Sequence, residues 1–173
     1  NAATEELLSL VRPLFTTAWL LDDRLALEGF RDTATILVSS ASSKTAAAMA
    51  WCLAQREQRP RLIGLTSTAN KEYVAGLGTF DDAVTYDEIA TADLAGPVVL
   101  VDFAGEPTVR TAIGDRFGPD FRWLVGVGIT LMLVVLSAKI FDVQQSATTI
   151  ITMLTIPTET TTTALMTIVS ASS

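Results

Sequence analysis

The segment TILVSSASSKT, from Thr35 to Thr45, decides the fold. Its short apolar run is rich in β-branched residues and predicts a buried strand, and the small polar residues after it predict a tight turn. The Ala-rich stretch from Lys44 to Gln58 has helical spacing and predicts a helix directly after that turn. A strand, a turn of small residues and a helix form the opening unit of an α/β fold.

The same unit recurs along the chain. Four further apolar runs predict buried strands, namely Arg61 to Ser67, Asp82 to Tyr86, Pro97 to Gly105 and Arg122 to Thr130. The stretches between them predict helices over Lys71 to Leu77, Asp87 to Leu94 and Thr108 to Phe117. Strands separated by helices imply right-handed crossovers and a parallel sheet covered on both faces. The sequence therefore predicts a Rossmann-like, doubly wound α/β fold of about five strands in the order 3-2-1-4-5.

Composition changes sharply towards the end of the chain. We predict a Rossmann-like domain over residues 1–130 and an apolar, Thr-rich extension of undefined structure over residues 131–173. The run from Trp123 to Ala138 contains no charge, which fits either buried sheet or a membrane segment. Because it is shorter than the roughly 20 residues that span a bilayer, membrane association is not favoured. The chain starts without a methionine or the features of a signal peptide, which indicates a fragment or trimmed chain and a cytoplasmic location.

Charge and residue usage exclude several classes of function. The net charge of -7 argues against a nucleic-acid partner, because an acidic chain repels a polyanion. The 173 residues contain no histidine and a single cysteine, Cys52, so a His-containing triad, a conventional zinc site and an internal disulfide are excluded. Cys52 lies in the apolar run AAAMAWCLA and is predicted to be a core residue.

The loops at the carboxyl ends of the strands are where a doubly wound sheet binds ligands. The first turn offers hydroxyls, the amides of a helix N-terminus and the charge of Lys44, and this combination suits an anion such as a phosphate. Two interpretations stay open: N-capping alone by Ser42 or Ser43, or capping together with anion binding. A Walker A loop is excluded because Val38 and Ser43 stand where it needs glycine, and the G-x-G-x-x-G fingerprint is also absent.

Later loops favour NADP over NAD. The second strand ends in Thr66 and Ser67, without the acid that would repel a 2′-phosphate, and Lys71 follows one helical turn later. Tyr86 closes the third strand, where its ring could lie beside an adenosine. Asp102, which ends the fourth strand, is interpreted as an acid hydrogen-bonded at a strand end rather than a general base. The candidate cofactor-binding residues are Ser40, Ala41, Ser42, Ser43, Lys44, Thr45, Thr66, Ser67, Lys71, Tyr86, Phe103, Ala104 and Gly105.

These runs resemble a known superfamily. RPLFTTAWLLDD, ILVSSASSKTA, IGLTSTANKEYVAGLG, DDAVTYDEI and VVLVDFAG are similar to the nucleotide-binding domain of medium-chain dehydrogenase/reductases, in particular to quinone-oxidoreductase-like proteins with a Ser-rich turn. The resemblance covers roughly residues 12–130 and implies a zinc-free, NADP(H)-dependent oxidoreductase fold. It also implies that Lys71 and Tyr86 contact the 2′-phosphate side of the cofactor. Such enzymes carry a substrate domain before this one, and almost nothing precedes Arg12 here.

The sequence thus predicts an NADP(H)-binding domain of a quinone-oxidoreductase-like reductase, incomplete as an enzyme on its own. Its catalytic residues are not identified, and homodimerisation is left open. One alternative is a nucleotide-binding module without activity. Another, less favoured, is a protein tethered to a membrane near Trp123 to Ile140.

Overall fold

The computed structural model describes the backbone of residues 2–128 and the side chains from residue 14 onward. Predictions for residues 131–173, including the Thr-rich extension and most of the apolar run after Trp123, lie outside the described residues. Among the described helices, none is both long enough and apolar enough to cross a membrane.

Five parallel strands form one sheet in the order β3-β2-β1-β4-β5, which confirms the predicted fold class and strand order. The strands are β1 (Thr35–Val38), β2 (Arg61–Thr66), β3 (Asp82–Thr85), β4 (Val98–Asp102) and β5 (Phe121–Gly126). Strand β1 is central, so the turn that follows it lies in the middle of the sheet edge. At the edge of the described sheet, β5 is only partly covered, with Leu124 40% exposed, although the sequence predicts a buried strand there.

Within residues 2–128, four α-helices accompany the sheet: α1 (Ala2–Leu27), α2 (Lys44–Ala54), α3 (Lys71–Gly76) and α4 (Pro107–Phe117). The sequence pattern predicts no element over the segment that forms α1. Helix α2 also ends earlier than predicted, because the residues after Ala54 are polar or charged and lead into Pro60, leaving no apolar face to pack.

The helix predicted over Asp87 to Leu94 is wrong. This segment begins with a short 3-10 turn, Tyr86–Glu88, and continues without a helix to β4. The guanidinium of Arg116 donates hydrogen bonds to the carbonyls of Ile89 and Ala92. These bonds satisfy carbonyl groups that a helix would otherwise pair internally, so the loop is held from α4 instead.

Apart from β5, both faces of the described sheet are buried, as the continuous apolar strands predict. Alternate residues of each strand point to opposite faces. Ile36 and Val38 pack with α1, α2 and α3 on one face, whereas Leu37 and Leu100 pack with α4 and the loop before β4 on the other. Helices α2 and α4 therefore lie on opposite faces, which makes the sheet doubly wound.

Helix α1 packs against α2 and forms an ion pair with Arg56, which lies just after the end of α2. The carboxylate of Asp22 accepts two hydrogen bonds from Arg56, at 2.7 and 2.8 Å, and the rings of Phe15 and Trp51 pack at 6.3 Å between centroids. Cys52 is buried in the same layer, and burial together with nearby Asp22 raises the pKa of its thiol to about 12. Cys52 is thus a core residue as predicted, and its thiol stays protonated at neutral pH.

Candidate functional site

The carboxyl ends of β1 and β4 form the topological switch point of the sheet. The two strands are neighbours, yet the chain leaves β1 towards α2 on one face and leaves β4 towards α4 on the other. Ligands of open α/β sheets bind where connections diverge in this way. A ligand is therefore expected at the turn after β1 (residues 39–43) and the turn after β4 (residues 103–106).

The turn after β1 presents unpaired backbone amides. Carbonyls of the protein itself accept the N–H groups of three turn residues, Ser39, Ala41 and Ser43. In the described part of the chain, no acceptor pairs with the N–H groups of Ser42, Lys44 or Thr45. These three donors lie at the N-terminus of α2, where the helix dipole also favours negative charge.

The predicted capping of α2 is confirmed. The Ser43 hydroxyl accepts the N–H of Ala46 at 3.3 Å, and Ser43 itself has extended backbone angles. Lys44 is exposed at the first position of the helix, and no ion pair involves it within residues 2–128. The charge of Lys44 is therefore available beside the unpaired amides, while anion binding stays a prediction.

Tyr86 reaches across the sheet edge to this turn. Its hydroxyl accepts the N–H of Ser40 at 2.9 Å, and Ser40 has a positive φ of 50°. Tyr86 begins the 3-10 turn after β3 rather than closing the strand itself, a shift of one residue from the prediction. The structure thus brings two predicted site residues, Ser40 and Tyr86, into direct contact. The Tyr86 hydroxyl binds a backbone amide in the turn just after β1.

Tyr86→Phe is expected to lower the free energy of unfolding by about 1 kcal/mol, because the partly buried N–H of Ser40 loses its acceptor while the ring stays in place. Urea unfolding of the full chain measures the change. Tyr73→Phe is the matched control, since the Tyr73 hydroxyl has no hydrogen-bond partner among the described residues. An equal loss of stability in both variants would contradict a specific role for the Tyr86 hydroxyl.

The turn after β2 adds polar groups from the neighbouring strand. Thr66 is buried, whereas Ser67 is exposed, so only Ser67 of this predicted pair is open to solvent. Asn70 donates a side-chain hydrogen bond to the hydroxyl of Ser42 at 3.3 Å, which links this loop to the turn after β1. Lys71 begins α3, and both oxygens of the Glu88 carboxylate bind its ammonium group.

Asp102 at the end of β4 is the centre of a buried hydrogen-bond network. Its carboxylate accepts the hydroxyl of Ser39 at 2.6 Å, the guanidinium of Arg110 at 2.5 Å and the N–H of Gly105 at 3.0 Å. Burial by itself raises the pKa of Asp102, but hydrogen bonds from Ser39 and Arg110, with that from Gly105, outweigh it and hold the pKa below its usual value. The interpretation of Asp102 as a hydrogen-bonded acid is confirmed.

The same network accepts hydrogen bonds from the N–H groups of Phe103, Ala104 and Gly105 in the turn after β4. The Ser39 hydroxyl accepts the N–H groups of Phe103 and Ala104, at 2.9 and 3.0 Å, so it joins the ends of β1 and β4. Gly105 has a positive φ of 70° and is exposed. Of the two predicted ligand-binding turns, the one after β1 has three amides without an acceptor within residues 2–128, whereas the amides of Phe103, Ala104 and Gly105 in the other are paired.

The chain matches a known protein family over most of its length. The family model described as Protein of unknown function (DUF2855) matches residues 1–164. The chain belongs to the DUF2855 family. No curated protein and no solved structure matches it. The matched residues include every described strand of this DUF2855 protein and both turns of the candidate site.

Sequence reasoning missed several polar residues that build the site of this DUF2855 protein. They are Ser39, Asn70, Glu88 and Arg110. Three of them lie in the loops that the sequence singled out, so their position carried a signal. The partners of the three loop residues are distant in sequence, however, and only the strand order brings Ser39 to Asp102 and Lys71 to Glu88.

Proposed function

We propose that this DUF2855 protein carries the NADP(H)-binding domain of a zinc-independent, quinone-oxidoreductase-like reductase. One observation carries the proposal: the N–H groups of Ser42, Lys44 and Thr45 lack acceptors within residues 2–128, beside an exposed ammonium at the topological switch point. Unpaired amides at a helix N-terminus and an adjacent cation are the groups that bind a diphosphate.

The residues present fit a dinucleotide. The amides of Ser42, Lys44 and Thr45 would hold the diphosphate, Lys71 would pair with the 2′-phosphate, and the turn at Gly105 would face the nicotinamide half. When bound, the cofactor supplies the hydride that reduces an acceptor such as a quinone. The contribution of this chain is to bind and orient the cofactor, and the hydrogen bonds from the turn after β4 to Asp102 and Ser39 suit that task.

A nucleotide-binding module without catalytic activity is the second candidate function. It is favoured by the state of Asp102, the one fully buried acid at this edge of the described sheet. Both of its oxygens accept hydrogen bonds from the protein, and it is paired with Arg110, so it is not poised to exchange a proton with a substrate.

Isothermal titration and thermal unfolding of the full chain with NADPH, NADH and ATP test the proposal. We expect NADPH to bind most tightly and to raise the melting temperature. Lys44→Ala should weaken NADPH and NADH alike, because both carry the diphosphate. Lys71→Ala should weaken NADPH alone, about tenfold or 1.4 kcal/mol, because only NADPH carries the 2′-phosphate.

The two candidate functions differ in a second measurement. A reductase oxidises NADPH when a quinone is added, whereas a binding module binds NADPH and leaves it unchanged. An unchanged melting temperature with all three nucleotides would refute both candidate functions.

A further inference from the structure

An ion pair joins the loops that follow β2 and β3. The ammonium of Lys71 lies 2.8 Å from Oε1 and 2.7 Å from Oε2 of Glu88. Lys71 begins α3, directly after the loop at the end of β2, and Glu88 ends the 3-10 turn after β3. The pair therefore stands at the carboxyl edge of two neighbouring strands, on the side of the site where we place the 2′-phosphate.

Glu88 is fixed in place by more than this ion pair. Its Oε2 accepts the N–H of Thr85 at 2.9 Å, and the two residues form a reciprocal capping box at the start of the 3-10 turn. The hydrogen bond from Lys71, followed by that from the Thr85 N–H, lowers the pKa of Glu88 to about 2. At neutral pH the carboxylate is thus charged, oriented and bound to the cation.

The pair is also within reach of a ligand. The side chains of Lys71 and Glu88 are 41% and 44% exposed, respectively. A phosphate that approaches Lys71 must share the ammonium with a carboxylate that already uses it on both oxygens. Two anions on one cation repel each other, so the affinity of the second is reduced.

We propose that Glu88 is a specificity-determining residue, which weakens the binding of a 2′-phosphate by holding Lys71 in the free protein. This inference rests on the proposed function, because it concerns the 2′-phosphate of the same ligand. It assigns to Glu88 a role opposite to that of Lys71. The preference for NADPH over NADH is then set by the balance of the two residues rather than by Lys71 alone.

Glu88→Gln tests the inference. The amide oxygen of glutamine can still accept the N–H of Thr85, but the side chain no longer neutralises Lys71. We expect the affinity for NADPH to rise about fivefold to tenfold in isothermal titration, with the affinity for NADH unchanged within twofold. Two ligands without the nicotinamide should show the same contrast. Glu88→Gln should bind adenosine 2′,5′-bisphosphate more tightly than the wild-type chain does, and its affinity for adenosine 5′-diphosphate should be unchanged.

Glu72→Gln is the matched control, because it removes the same charge one residue from Lys71. Glu72 is exposed and takes part in no ion pair among the described residues. If Glu72→Gln raises the affinity for NADPH as much as Glu88→Gln does, a general loss of negative charge explains the gain and the inference fails. Glu88→Ala, which removes the carboxylate and the cap together, is a second variant and should show the same gain in affinity for NADPH.

The inference and the proposed function fail in different ways. If the wild-type chain binds NADPH and neither Glu88 variant binds it more tightly, the role of Glu88 is refuted and the proposed function stands. If the wild-type chain and both Glu88 variants bind no dinucleotide, the proposed function fails and the inference fails with it. A gain for NADPH alone supports both.

Discussion

Asp102→Ala is expected to lower the free energy of unfolding by about 3 kcal/mol, because it removes the acceptor of the buried Ser39 hydroxyl and breaks the ion pair between a buried carboxylate and Arg110. The hydroxyl of Ser39 and the N–H groups of Ala104 and Gly105 all donate to one oxygen of this carboxylate. The other oxygen accepts from Arg110, whose side chain is 34% exposed and can regain water. The main loss therefore falls on the buried hydroxyl of Ser39 at the end of β1, since the N–H of Ala104 also donates to that hydroxyl and Gly105 is exposed.

Urea unfolding of the full chain, followed by circular dichroism, measures the effect of Asp102→Ala. Asp115→Ala is the control, since Asp115 lies in α4, is exposed and forms no ion pair within residues 2–128. The control should change the free energy of unfolding by less than about 0.5 kcal/mol. A loss below about 1 kcal/mol for Asp102→Ala would show that the network contributes little, and that the turn after β4 is held by other contacts.

The fold could be predicted because its determinants are local in sequence. Short β-branched runs separated by turns of small residues mark the strands, and a sheet buried on both faces requires them to be apolar throughout. Local patterns did not predict helix α1, and they predicted a helix between β3 and β4 that the structure does not contain. The loop before β4 is held by hydrogen bonds from Arg116 of α4. The sequence of the loop itself cannot predict a contact with a side chain from another helix.

The candidate site was predictable in position and less so in its contacts. The capping of α2 by Ser43 and the hydrogen-bonded state of Asp102 follow from residue type and place in the fold. The partners of Lys71 and Tyr86 depend on which strands are neighbours and on side-chain reach, so the sequence left both as groups free to bind a ligand. In the structure, Tyr86 holds the Ser40 amide and Glu88 holds Lys71.

These two contacts have the same consequence for ligand binding. The ammonium of Lys71 and the hydroxyl of Tyr86 already have partners in the protein, so a ligand that binds either polar group must replace a bond that the free protein makes. The turn after β1, where we propose that the diphosphate binds, differs, because the amides of Ser42, Lys44 and Thr45 have no acceptor to lose within the described residues. We therefore expect the diphosphate to supply most of the affinity, and the 2′-phosphate to supply selectivity.

Gly64 is the other position where a single change should have a large effect. It lies in β2, and a Cβ placed there would stand 2.8 Å from Val74 Cγ1, 2.9 Å from Ala41 Cβ and 3.2 Å from Phe80 Cδ1. Ala41 belongs to the turn after β1, and its N–H is bound to the carbonyl of Leu65. The absence of a side chain at Gly64 thus allows the turn of the candidate site and α3 to approach the sheet closely.

Gly64→Ala is expected to lower the free energy of unfolding by about 1–3 kcal/mol, because a methyl group overpacks this contact. Gly114→Ala is the opposite control, since its Cβ would meet nothing within 4 Å inside α4. The control should raise stability by about 0.5–1 kcal/mol, the ordinary gain of alanine over glycine in a helix. Urea unfolding of both variants measures whether each change lowers or raises the free energy of unfolding. A gain in stability for Gly64→Ala would contradict the close approach at this position.

Val74→Ala separates the two neighbours that crowd position 64. If the contact with Val74 dominates, the double variant Gly64→Ala, Val74→Ala should lose less stability than the two single variants added together. If the contact with Ala41 dominates, the losses should add, because the clash with the turn after β1 remains. In that second case Gly64→Ala should also weaken NADPH and NADH by the same factor, since the displaced turn carries the amides that we assign to the diphosphate.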